Sequence, residues 1–265
     1  MSNTKKGLIR EIYEYRHLLY SMVARDLKGK YKSSYLGFAW HFLTPALMVI
    51  IFYVAFTGIG IRSSEIDGYW IYLCIGMFPF VFFRGNLGQG SGCVVSGAGT
   101  IKKMYFPREI VVLSQVISTF VMFLISYLII VSMIIVTGFH LSIYALLFLP
   151  VILLLSFLFT IGYVLFFSAI VVFVRDVQHF ILAVSRVILW TTPILYLASD
   201  VTGILETIIW YNPFTYFIEV FHSIFFFGTA PEMFHLQVCL ILTVTALVVG
   251  MLVFSKLKPR FAEVL

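Results

Sequence analysis

Four basic residues within eight positions, Arg25, Lys28, Lys30 and Lys32, stand just before the first long apolar run, and their chemistry is anion contact. Arginine offers phosphate a bidentate fork, and lysine a compact point charge. At headgroup depth this group suits a phosphate-bearing ligand, although each residue alone also fits plain contact with anionic lipid. Arg186 is a basic residue set well inside an apolar run, where it either snorkels outward or lines an entrance. Trp40, Phe52, Tyr53, Phe56, Trp190 and Tyr196 on the first and fifth runs offer flat apolar faces suited to lining a passage. The same rings also belong at membrane interfaces and in helix packing.

The chemistry that is missing narrows the function further. The glycines at 85–99 do not form G-x-x-x-x-G-K-[ST], because Lys102 and Lys103 follow no correctly placed glycine and no Ser or Thr follows them. The six His are scattered without an HExxH pattern, and Cys74, Cys93 and Cys239 are isolated apolar fillers, so no catalytic or metal-ligating set is expected. Proton-coupled carriers place ionisable groups at mid-membrane. Only Arg186 and Glu219 come near that description, so energy must come from elsewhere or transport is passive. Asp26, Asp176 and Glu219 are the only acids remotely placed for an integral membrane enzyme or ATP-independent flippase acting on lipid-linked sugars.

The elements that must hold these residues are membrane helices. With 61% apolar and 11% charged residues in 265, this is no soluble domain, where charge makes up roughly a quarter. About 20 apolar residues cross a bilayer, and six runs qualify: 35–61, 69–90, 110–137, 142–174, 177–198 and 235–255. The second reaches full length only if its helix continues past Arg84. Every Lys and Arg except Arg62 falls on one side of this topology, with Glu65, Asp67, Asp200, Glu206, Glu219 and Glu232 opposite. Basic loops stay in the cytoplasm, which places both termini there. The net charge of +6 is interleaved with spans, so lipid headgroups rather than nucleic acid explain it. The N-terminal stretch is rich in charge and lacks an apolar h-region, so no cleavable signal peptide is visible in it.

Three segments are more than connectors. In the N-terminal segment 1–34, Leu8, Ile12, Tyr15, Leu19 and Met22 recur at helical spacing, with Arg10, Glu14, Ser21, Arg25 and Lys28 on other faces. That pattern predicts an amphipathic helix, lying in the membrane interface or packed on protein. Glycines at 85–99 either give a small-residue face for close helix approach or a flexible loop. The stretch 199–234 is too long for a turn and too apolar for a solvated loop, which predicts a re-entrant or external lid. Pro193 within the fifth run predicts a kink there.

Six short motifs in chain order carry a resemblance. They are Arg25-Asp26-Leu27-Lys28-Gly29-Lys30-Tyr31-Lys32 running to Trp40 and Pro45; Ile101-Lys102-Lys103 with Phe106-Pro107-Arg108; and Phe173-Val174-Arg175-Asp176. Thr192-Pro193-Ile194-Leu195-Tyr196, Tyr211-Asn212-Pro213, and the tail 256–265 with Lys256, Lys258 and Arg260-Phe261-Ala262-Glu263 complete the set. Over nearly its whole length the chain resembles the membrane permeases of ABC exporters for O-antigen, teichoic acid and related polysaccharides. The resemblance implies an all-α, six-span homodimer in a bacterial inner membrane, with two separate ATPase subunits docked beneath and an undecaprenyl-type lipid-linked glycan as substrate. ATP and Mg would sit on the ATPase, leaving this chain without a cofactor. It also implies that Lys102, Lys103, Met104, Tyr105, Phe106, Pro107 and Arg108, within loop 99–109, couple to the motor. External helices after the fifth span would match 199–234, with Tyr211, Asn212 and Pro213 at an outer gate. A small-molecule permease of the same ABC class fits the aromatic content and the motif set less well.

Overall fold

The computed structural model describes residues 8–29, 37–60, 66–101, 106–139 and 142–264, which are helices and connecting turns without a strand. In order they are α1 (Leu8–Glu14), α2 (Arg16–Gly29), α3 (Trp40–Ile59), α4 (Tyr69–Gly85), α5 (Cys93–Ser96), α6 (Ala98–Ile101) and α7 (Glu109–Thr137). Then follow α8 (Ile143–Leu146), α9 (Leu149–Phe173), α10 (Asp176–Trp190), α11 (Ile204–Tyr211), α12 (Pro213–Phe225), α13 (Met233–Leu257) and α14 (Phe261–Val264). Among the described residues, five helical stretches are long and apolar enough to cross a membrane: 40–59, 69–90, 109–137, 143–173 and 233–260. The fifth run of the sequence instead holds only the 15-residue α10, which ends at Trp190. Pro193 does not kink a longer helix there; Thr191–Leu197 leaves helical geometry altogether.

The helix of the second run does continue past Arg84, through one π-helical turn at Asn86–Gly90. Left-handed Gly60 and Gly138 close α3 and α7, each returning its N–H to the preceding turn's carbonyls. The apolar face of α2, with Tyr15 just before it, is turned inward: Tyr15, Leu18 and Leu19 pack on the core and Met22 is buried, while Arg10, Arg25 and Lys28 stay exposed and α2 runs along α7.

At the centre lies α4, whose residues are buried on nearly every side. Against it sits α12, with Phe214, Phe217, Phe221 and Phe225 repeating at helical spacing and all buried. Phe217 stacks on Phe159 of α9 at 4.8 Å and Phe221 on Tyr127 of α7 at 4.9 Å. The segment expected to form a lid is therefore half wedge: α11 is largely exposed, and α12 is core.

An apolar medium supplies no water to a freed backbone carbonyl, so each must find a partner inside the protein. Tyrosine hydroxyls do this repeatedly. Pro79 removes a donor inside α4, and the Tyr127 hydroxyl reaches the carbonyl of Ile75 at 3.5 Å. Where α4 widens into its π turn, Tyr163 donates to the carbonyl of Phe83 at 3.0 Å. Elsewhere α9 and α13 cross at backbone contact: a Cβ on Gly162 would lie 2.5 Å from the carbonyl carbon of Ala246.

Candidate functional site

Helix α10 begins at Asp176 at the basic end of the bundle and has two contrasting sides. On one, Gln178, Leu182 and Ser185 face Thr44 of α3, Arg84 of α4 and Gln89 across a cleft of about 360 Å³. Close packing here depends on small residues: a Cβ on Gly88 would lie 2.9 Å from Cδ2 of Leu182, and one on Gly92 would run into the amide of Gln178. Of the two readings of the glycine stretch, close approach holds at these positions, whereas Gly85 and Gly99 have open space. No carboxylate pairs with Arg84 among the described residues. On its other side α10 borders an apolar groove of about 620 Å³, lined by Phe159, Tyr163 and Phe167 of α9, Phe180 and Val184 of α10, and Tyr211.

Of the aromatic residues singled out from the sequence, Phe52 and Trp190 meet between α3 and the end of α10, and Tyr53 leans on Tyr69 of α4 at 6.1 Å. Phe52 stands edge-on to Trp190 at 6.3 Å and to Phe56 at 6.2 Å. Trp40, Tyr53 and Trp190 are exposed, while Phe52, Phe56 and Tyr196 are half-buried. Few residues of α3 are covered by the rest of the chain, so these rings stand on an open wall.

Beyond Trp190, hydroxyls and one amide hold the irregular chain in place. Tyr69 donates to the carbonyl of Leu195 at 2.6 Å, and the Tyr72 hydroxyl is shared between the carbonyls of Pro193 (3.1 Å) and Tyr196 (3.0 Å). Asn212 Oδ1 accepts from the Phe214 N–H and so caps α12, with Pro213 at its first turn. Its Nδ2 donates to Thr192 Oγ1 at 2.8 Å, tying the end of α10 to the turn before α12. Tyr211 next to it is exposed. The Tyr72→Phe variant leaves one buried and one half-buried carbonyl without this donor, so a loss of about 1–3 kcal/mol is expected. Thermal unfolding of the detergent-purified protein reads it, and an unchanged transition contradicts this account of the turn.

At the basic end, the segment before α7 is locked to the C-terminal tail. Phe106 is buried. Arg108 donates through Nη1 to the backbone carbonyl of Lys258, and its guanidinium lies over the ring of Phe261, 5.5 Å from the centroid. Glu109 accepts from Lys258 Nζ at 2.6 Å. Phe261 packs in turn on Phe254 of α13 and Phe173 at the end of α9. Three helix ends thus meet around Arg108. Residues Lys102, Lys103, Met104 and Tyr105, like Lys30 and Lys32, lie outside the described residues.

Of the predicted basic group, Arg25, Lys28 and Arg186 are among the described residues, the first two on α2 and the third on α10. Arg25 is exposed with Asp26 at 3.4 Å, Lys28 is exposed, and α2 lies along α7, whereas Arg186 is exposed on α10. Two residue sets escaped the sequence reading, Arg84 in its cleft and the Glu109–Lys258 pair. Arg84 carried a signal, since a charge within an apolar helix marks a functional position. The pair spans 149 positions, and no local pattern joins its members.

Comparison with known proteins agrees with this architecture. Residues 17–226 match the family described as ABC-2 type transporter. The chain is 32% identical over 248 residues to an O-antigen export system permease protein RfbA of Klebsiella pneumoniae, covering 94% of this chain and 95% of the relative. It is 27% identical over 258 residues to the protein of that name from Myxococcus xanthus, covering 97% and 98%. The chain therefore belongs to the ABC-2 type transporter family of multi-pass membrane permeases.

Proposed function

We propose that this chain is the conducting subunit of an ATP-driven exporter that carries a lipid-linked, O-antigen-like polysaccharide out of the cytoplasm across the bacterial inner membrane. Two copies form the passage, and two ATPase subunits dock at the basic end, which faces the cytoplasm with both termini. The sixth crossing is completed by α10 together with the irregular chain beyond Trp190. The N-terminal helices α1 and α2 lie at the cytoplasmic interface.

The observation that carries this reading is the two-sidedness of α10. A polyprenyl-pyrophosphate carrier joins an anionic head to a long apolar tail. The cleft holding Arg84, Gln89 and Gln178 suits the head, and the apolar groove on the opposite side suits the tail. The exposed ring of Trp190, with Phe52 edge-on to it, stands at the end of α10, and Trp40 and Tyr53 are exposed along α3, surfaces suited to a passing sugar chain. Arg84, more than Arg186, is placed to meet the phosphates, because it faces a cleft with further hydrogen-bonding groups. Arg108 and Phe106 sit where motion of a docked motor would enter α7, and through Phe261 it would reach α9 and α13.

Arg84→Gln is expected to lower surface polysaccharide at least tenfold at unchanged permease abundance, while Arg84→Lys retains part of the activity. Both are read by extracting cell-surface polymer and quantifying the permease in the membrane fraction. Full export by Arg84→Gln would remove this residue from the headgroup site.

A further inference from the structure

A cavity of about 720 Å³ opens between α7, α9 and α13 at the basic end, away from α10 and both of its clefts. Its wall is apolar, with Leu113, Ile161, Leu165, Leu247 and Met251 among the lining residues, and Ile12 of α1 lies at its rim. At one end stand Glu109 and Lys258. Along α13, Leu247 to Lys258 is eleven residues, or about 16 Å at the helical rise. That is about half of the roughly 30 Å hydrocarbon thickness. The cavity therefore reaches from headgroup depth towards the bilayer midplane, the span of one acyl chain in one leaflet. Met251 and Leu252 are exposed beside it, so the surrounding lipid has access.

The polar end sets the headgroup. Glu109 is 6% exposed, and only one of its carboxylate oxygens is used: Oε1 accepts from Lys258 Nζ, while Oε2 is buried without a partner. A buried acceptor left unpaired costs about 1–3 kcal/mol. Lys258 has three N–H donors and gives one to Glu109. The pair thus has one acceptor and further donors to spare, with no net charge. We propose that this cavity is a site for a phospholipid whose zwitterionic headgroup carries a primary ammonium, of the phosphatidylethanolamine type. One acyl chain fills the cavity, the ammonium donates to Glu109 Oε2, and the phosphate accepts from Lys258. A choline headgroup matches the charge but has no N–H to donate. A glycerol headgroup adds net negative charge beside the carboxylate.

The test is intact-complex mass spectrometry of the purified permease, incubated with chain-matched phosphatidylethanolamine, phosphatidylcholine or phosphatidylglycerol. Wild type is expected to retain phosphatidylethanolamine at least tenfold over phosphatidylcholine. Glu109→Gln should erase that preference, and Met251→Trp, which fills the chain-binding part, should lower retention of all three. Leu113→Trp serves the same purpose if Met251→Trp is not monodisperse. Equal retention of the choline lipid, a preference for the glycerol lipid, or undiminished binding by both tryptophan variants would overturn the proposal.

Discussion

Gly250→Leu is expected to eliminate monodisperse, detergent-extracted protein. A Cβ at Gly250 would fall onto the carbonyl oxygen of Gly162, and one at Gly162 would meet the backbone of Ala246 and Leu247 at 2.5 and 2.6 Å. Overpacking against side chains costs about 1–3 kcal/mol because side chains can turn aside. Here the obstacle is helix backbone on both sides, so α9 and α13 must separate along their length. They pack directly, and Thr243 of α13 adds a hydrogen bond to the Leu155 carbonyl at 3.4 Å. Against a net stability of about 5–15 kcal/mol, loss of this crossing takes the fold with it. Gly58→Leu is the control, since nothing lies within 4 Å of a Cβ there. Fluorescence-detected size exclusion reads both; a normal peak for Gly250→Leu would show that the crossing is not the one described.

The second large effect concerns transmission. Arg108→Ala is expected to lower polymer export by about 10- to 100-fold while the protein stays in the membrane and the partner ATPase still turns over. The range follows from the roughly 1.5–3 kcal/mol of a hydrogen bond to a charged group, here made to the Lys258 carbonyl. Its stack over Phe261 is lost as well. With Arg108 gone, the Glu109 ion pair is what still holds the start of α7 to the tail among the described residues, and the route to Phe173 and Phe254 is weakened. Phe261→Ala should act in the same direction to a smaller extent. Arg260→Ala, exposed on the same tail, should have no effect. Polymer exported per ATP hydrolysed is the quantity to measure, and an unchanged ratio for Arg108→Ala contradicts this role.

Much of the fold follows from local pattern. The runs at 110–137 and 235–255 meet α7 and α13 to within two residues at each end, while 142–174 is filled by α8 and α9 with a turn between them; apolar runs of this length are what a bilayer crossing requires. Within the amphipathic pattern, Tyr15, Leu19 and Met22 are on the face that packs on the core. What escaped the sequence is of two kinds. Phe214 to Phe225 has the composition of a membrane helix, and only tertiary packing shows that α12 is a wedge against α4 and α7. The contacts of Arg108 and Glu109 with Lys258, and the cleft that joins Arg84 to Gln178, link positions about 90 to 150 apart. Pairings of that kind leave no trace in local periodicity.

In the proposed division of labour, this chain conducts and its partner hydrolyses. It is tested most directly by reconstituting the purified permease into liposomes with and without its ATPase, measuring ATP turnover and movement of a lipid-linked O-antigen-type glycan together. The permease alone is expected to show neither, and the complex both, with export lost when ATP is withheld. ATP hydrolysis by the permease alone, or glycan movement without ATP, would contradict the account.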